Sequence, residues 1–136
     1  MPYIGPTGRC YVRDWLNRTL KPRDKASYVQ FLEHYAPAVE DRGPMVGMPI
    51  WGDLDAPLGE IRWHCKGGKC RIYCSVETGK RIVMLHADIK TWREFSDEDR
   101  RRCLRRRADY LSADYVQSDR ERAYRERRKG EANGAL

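Results

Sequence analysis

No apolar run in this 136-residue chain approaches the ~20 residues that a membrane-spanning helix requires. The opening stretch MPYIGPTGRC also lacks the apolar segment of a secretory signal. The two absences lead to the expectation of a cytoplasmic protein with no membrane partner. Cysteines are few and odd in number, at Cys10, Cys65, Cys70, Cys74 and Cys103. An odd set in a cytoplasmic chain argues against a disulfide framework. The C-x4-C-x3-C spacing of the middle three matches no zinc knuckle, even with His64 beside Cys65. No metal and no cofactor is therefore expected, and the thiols read as buried and inert. Internal repeats are absent too, and the length suits one domain with a single core.

Charge is abundant. The chain carries 27 Lys+Arg against 20 Asp+Glu, a net +7. A balance of that size favours an anionic partner such as nucleic acid, the ribosome or an acidic protein.

The periodicity is helical first and strand-like later. Val12, Trp15, Leu16 and Leu20 predict one helix, interrupted at Lys21-Pro22. Ala26, Val29, Leu32 and Tyr35-Ala36 predict a second from about Arg23, ending at Pro37. Residues 37–57 hold four prolines and three glycines, a long connection that implies function, mobility or a further strand. Met45, Val46, Met48, Ile50 and Trp51 are too apolar for a free loop and are expected to pack at the core edge. Three strand-like runs follow, Leu58–Lys66, Lys69–Glu77 and Lys80–Lys90, separated by Gly67-Gly68 and Thr78-Gly79. Ser96-Asp-Glu-Asp99 has the form of a capping box. The helix behind it is expected to bury Cys103, Leu104, Ala108 and Leu111. The fold class is thus α+β: an N-terminal helical hairpin on a curved antiparallel sheet of three to five strands, followed by a charged helix.

A hairpin centred on Gly67-Gly68 sets Ile61, Trp63, Cys65, Cys70, Ile72 and Cys74 on one face. Glu60, Arg62, His64, Arg71, Tyr73 and Ser75 share the other. In this register His64 opposes Arg71, and a turn at Thr78-Gly79 sets Arg71 against His86. The apolar row is expected to pack on the helices and the basic row to face solvent. Arginine offers a planar charged fork to phosphate, histidine exchanges protons near neutrality, and tyrosine donates a hydrogen bond or stacks on a base. His64 and Tyr73 are therefore candidate substrate-binding residues. Trp92 and Arg93, beside Lys90 at the strand exit, join them by combining stacking with phosphate contact. The run Arg100–Arg107 fits either a solvated helix face or a phosphate-backbone footprint.

The order LGEIRW, CRIYCSV, RIVMLHADIKTW and RRADYL behind two helices resembles the RelE/ParE toxin superfamily, and especially its phage-derived, HigB-like branch. The resemblance spans roughly residues 10–111. It implies a toxin domain over 1–111 and a charged, exposed, helical or partly disordered tail over 112–136. It further implies an RNA endonuclease acting on messenger at the ribosome, by metal-free attack of a ribose 2′-OH, with an antitoxin as partner. Arg62, Arg71, His86 and Lys90 take the catalytic positions, with His86 as the proton-transfer group. The N-terminal strand implied by such a fold falls on Gly5–Val12. The alternative is a non-catalytic basic phage protein that binds RNA or the ribosome, or inhibits a host enzyme such as gyrase.

Overall fold

The computed structural model describes all residues except Met48, 79–80, 91–94, Ala113 and 135–136, with the backbone alone described at 114–115 and 131–134. Two helices open the chain, α1 over residues 11–23 and α2 over 25–42. Each contains a π-helical turn, Trp15–Leu20 in α1 and Phe31–Tyr35 in α2. Proline lacks an N–H and crowds the carbonyl four residues back. Pro22 and Pro37 both follow a widened π turn directly, where the hydrogen-bonding step is longer. For that reason Pro37 does not end α2, contrary to the expectation from sequence, and the helix runs on to Arg42. Asp24 breaks the chain between the two helices. Its carboxylate caps α2 by accepting from the Ser27 N–H at 3.1 Å, and accepts from the Lys66 N–H at 2.8 Å. The helical corner is thereby pinned to the first strand turn.

A 3-10 turn, Gly43–Val46, leads to a four-stranded antiparallel sheet in the order β1-β2-β3-β4. The strands are β1 (Trp51–Asp53), β2 (Leu58–Cys65), β3 (Gly68–Glu77) and β4 (Arg81–Lys90). β1 is the further strand hidden in the long connection, and Trp51 on it is buried. Met45, expected at the core edge, is instead 85% exposed. The N-terminal strand pairing comes from Pro2 rather than Gly5–Val12. Pro2 bridges Met84 in parallel fashion, and the Tyr3 N–H donates to the Met84 carbonyl at 2.8 Å. Beyond the sheet lie α3 (Asp97–Ser112) and α4 (Asp114–Gly134). Among the described residues no helix is long and apolar enough to cross a membrane.

The sheet has helices on both faces, so there are two cores. On one face Val12, Leu16, Leu20 and Phe31 meet Ile61, Trp63, Cys70 and Ile72. Trp63 is their centre, with Phe31 stacked at 4.8 Å and Tyr35 at 5.8 Å. Full burial of such a side chain stabilises by roughly 1.5–3 kcal/mol. On the other face α3 brings Cys103 and Tyr110 down on Leu58, Tyr73, Val83 and Leu85. This corrects the expectation that the second face is open to solvent. It also sets the phase of α3: Cys103 and Tyr110 are buried, Leu104 and Leu111 are 41% and 45% exposed, and Ala108 is exposed.

The thiols of Cys10, Cys70, Cys74 and Cys103 are buried and free, and Cys65 is half-buried. Burial pushes Cys103 up to about 12. Along α4 Glu121 and Arg125, one helical turn apart, pair at 2.9 Å. Its inner side carries buried Tyr124 against Ile4 and Cys10, and the Arg13 guanidinium grips Glu121 through two hydrogen bonds of 2.8 and 3.1 Å.

The turn between β2 and β3 is Lys66-Gly67, because Cys65 pairs with Gly68. Gly67 supplies the positive φ of +90° that the turn needs. Gly68 serves a different purpose. A Cβ there would stand 2.5 Å from the Lys90 carbonyl oxygen, and its φ is +148°. Gly68→Ala is accordingly expected to destabilise the fold by about 1–3 kcal/mol, read as a lowered urea midpoint with an unchanged slope.

Candidate nucleic-acid interface

The two-residue turn sits one position earlier than expected, which moves the β2–β3 register by two residues. Arg62 opposes Arg71, and His64 opposes Lys69 rather than Arg71. A shift of two keeps every side chain on its face, so the basic row survives with different neighbours. Between β3 and β4 the expected turn residue Gly79 lies outside the described residues. Here the register carries a bulge: Tyr73 opposes His86 while Cys74 opposes Met84, leaving Leu85 as the extra residue on β4. Arg71 therefore faces Asp88, and Lys69 faces Lys90.

Two charged groups result, joined by the Arg71–Asp88 pairing. The first is centred on Glu60, which is 2% exposed, beside Arg71 at 5%. One guanidinium nitrogen of Arg71 donates to both Glu60 oxygens, at 2.9 and 3.1 Å. Arg62 reaches the same carboxylate at 3.4 Å and donates to the Pro49 carbonyl at 3.1 Å. Without Glu60 the buried, permanently charged Arg71 would lose its hydrogen-bonded carboxylate, which is the reason an acid belongs in this basic row.

The second group surrounds His86. Its Nε2 lies 3.3 Å from Arg102 and its Nδ1 3.2 Å from Arg106, both arginines coming from α3. A neutral imidazole has one acceptor nitrogen, so one of these contacts is a donor–donor approach. Burial, then the charges of Arg106 and Arg102, lower His86 to about 4, and the ring is neutral at pH 7. Burial raises Asp88 to about 6. Burial also acts against ionised Asp99, but hydrogen bonds from Lys90 and Ser96 outweigh it and hold Asp99 below the usual carboxylate range. Lys90 bonds Asp99 and lies 3.8 Å from Asp88. The capping box is thus half used. Ser96 Oγ accepts from the Asp99 N–H at 3.1 Å, while the Asp99 carboxylate turns to Lys90 and Arg102.

The sequence-derived candidates divide accordingly. Arg62, Arg71, His86 and Lys90 come together on one face, around Glu60, Asp88 and Asp99. His64 is exposed at the turn end of the same face. Tyr73 is fully buried, stacked on His86 at 6.0 Å and tilted against Phe95 at 4.9 Å, so it supports the site from below rather than lining its surface. Trp92 and Arg93 lie outside the described residues. Sequence reasoning missed Asp88, Asp99, Arg102 and Arg106 as members. The spacing of Arg102 and Arg106, one helical turn apart on a helix entered directly from β4, was the available signal.

His86, Asp88 and Asp99 present ligand-type atoms within 4.8 Å of one another. The Lys90 ammonium already stands against both carboxylates and supplies the positive charge that the trio would otherwise ask of a metal ion.

The fold is thus a two-faced α+β sheet that carries arginine, lysine, histidine and carboxylate side chains together on one face. The phage-derived protein Gp49-like family model matches residues 18–108, more than half of the chain, and the chain belongs to that family, which is RelE/ParE-like. No curated protein matches it.

Proposed function

We propose that this chain is a toxin of the HigB-like branch that cleaves messenger RNA at the ribosome and is restrained by a cognate antitoxin. The observation that carries the reading is the meeting of Arg71, His86 and Lys90 on one sheet face, with Arg102 and Arg106 closing over them. Fixed cations on this face, Lys90, Arg102 and Arg106 at the surface and Arg71 beneath, suit a phosphate whose charge grows during attack by the neighbouring 2′-OH. Proton removal falls to His86 or Asp88, and Asp88, at about 6, is the better matched to neutral pH. A bound phosphate would offset the charges of Arg102 and Arg106 and so bring His86 back toward its ordinary range.

Lys90→Ala and Arg62→Ala test this without opening the buried pair. Each is expected to lower cleavage of a translated message by about 100-fold, measured by primer extension on RNA from translating extract. Transcripts left intact by the wild-type protein, or cut equally by both variants, would overturn the reading.

One observation favours the alternative of a non-catalytic binder. In the free protein His86 is neutral and flanked on both ring nitrogens by guanidinium groups, and Arg71 is tied to Glu60. Binding to ribosomes without any new RNA ends in the same assay would select it.

A further inference from the structure

Away from the sheet face, a hollow of about 270 Å³ opens between the N-terminal segment and α4, lined by Thr7, Arg9, Arg18, Tyr124, Arg127 and Arg128 among others. Four arginines from two distant parts of the chain converge there, and among the described residues Asp14, paired to Arg9 at 3.4 Å, is the one carboxylate in the lining. The hollow is built. Arg127 donates to the Gly8 carbonyl and lies 5.9 Å from the Tyr124 ring. Gly8 has φ +83°, and a Cβ on it would come within 2.9 Å of the Arg127 guanidinium, so glycine is what lets the arginine in. Tyr124 also carries Arg13 at 4.9 Å, and its buried position fixes this part of α4 against Ile4 and Cys10.

The hollow is also connected to the His86 group. The Tyr11 ring carries Arg106 at 3.7 Å and Arg9 at 4.8 Å. Arg106 is the residue that touches His86 Nδ1, and Arg9 is a wall of the hollow. A line of guanidinium groups therefore runs from His86 past one aromatic ring to Arg9, Arg18, Arg127 and Arg128. Phosphates of a single strand repeat at spacings that such a line can follow.

We infer that the hollow is a second phosphate subsite, holding the backbone of the RNA strand that enters the His86 site, with Arg18, Arg127 and Arg128 as its contacts. It rests on the RNA reading above but occupies different residues. A nucleotide or two at the His86 site alone would leave it empty, so strand length is the variable it controls.

The experiment titrates fluorescent single-stranded RNAs of 3 and 12 nucleotides against the full chain at several salt concentrations. Wild type is compared with Arg18→Ala/Arg128→Ala and with the charge-keeping Arg18→Lys/Arg128→Lys. Each lost phosphate contact is expected to reduce the slope of log affinity against log salt by about 0.7, so the alanine pair loses about 1.4 for the 12-mer and nothing for the 3-mer. The lysine pair keeps the wild-type slope, which separates charge from folding. Equal slopes for wild type and the alanine pair, or equal loss with both RNAs, overturn the subsite. If message is cleaved normally while the slopes agree, the subsite alone fails. If the slopes differ as expected but no message is cut, the nuclease reading fails and the subsite stands. Absence of any RNA binding by the wild type overturns both.

Discussion

Glu60→Ala is expected to lower the unfolding free energy by about 3–5 kcal/mol, the loss typical of removing one partner from a buried ion pair. Glu60 and Arg71 are 2% and 5% exposed, and the Arg71 Nε has no hydrogen-bond partner among the described residues. Its terminal nitrogen depends on Glu60 for both close contacts. Urea unfolding reads the loss directly. The discriminating variant is Glu60→Ala combined with Arg71→Met. With both charges gone the penalty of an unpaired buried cation vanishes, and most of the stability should return. A double variant no better than the single one would mean that the cost lies in packing against Tyr73, the cross-strand neighbour of Glu60. The same experiment bears on activity, since the double variant would fold while lacking the arginine assigned to the phosphate.

The second large effect is a hidden pH dependence. His86 has its folded pKa lowered from 6.5 to about 4. The unfolded chain binds the proton more readily, so this contribution is fully present above pH 6.5 and is lost as pH falls toward 4. Asp88 has its folded pKa raised from 3.8 to about 6. Here the folded chain holds the proton more readily, so that contribution is present below pH 3.8 and is lost as pH rises through 6. Each shift corresponds to about 3 kcal/mol at ~1.36 kcal/mol per unit. Partial solvent screening of side chains 20% and 26% exposed reduces each to about 2 kcal/mol. The signs are opposite and the windows overlap, so these two contributions largely offset one another between pH 4 and 6. Removing one group should reveal the other. Asp88→Asn is expected to gain about 2 kcal/mol as pH rises from 4 to 6.5, and His86→Gln to lose about 2 kcal/mol over nearly the same interval. Urea titrations at stepped pH measure both. Parallel profiles for the two variants would show that neither group titrates as its surroundings demand.

These residues also show what can be read from a sequence and what cannot. Alternation in β2 and β3 was enough to separate Trp63, Cys70 and Ile72 from Arg62, Arg71 and Tyr73, because a one-residue slip would bury arginine. Alternation is blind to a slip of two, and Gly67-Gly68 and Lys66-Gly67 both offer a two-residue turn; the close approach of Gly68 to Lys90 is visible only once β3 and β4 are paired. The expectation that the basic row faces solvent failed for a related reason. A face bearing Arg62, Arg71 and His86 looks wet, yet Glu60 neutralises its centre and Tyr73, Val83 and Leu85 give α3 a dry place to land. Glu60 was placed on the correct face without its role being seen, since the pairing depends on burial that alternation does not report. In the helices, proline was read by its usual effect, and the π turns that accommodate Pro22 and Pro37 leave no mark in hydrophobic spacing.

The bulge at Leu85 has a bearing on how relatives of this chain can vary. Beyond it, His86, Asp88 and Lys90 lie on the α3 side only because one residue of β4 is left without a counterpart on β3. A regular ladder carried through from Met84 would set His86 opposite Ile72 and Asp88 opposite Cys70, in the wrong core. Loss of Leu85 itself would restore a regular ladder and keep the charged trio in place, at the expense of one apolar contact with Cys103. Insertions or deletions within Arg81–Lys90 should therefore be confined, among functional descendants, to that single position.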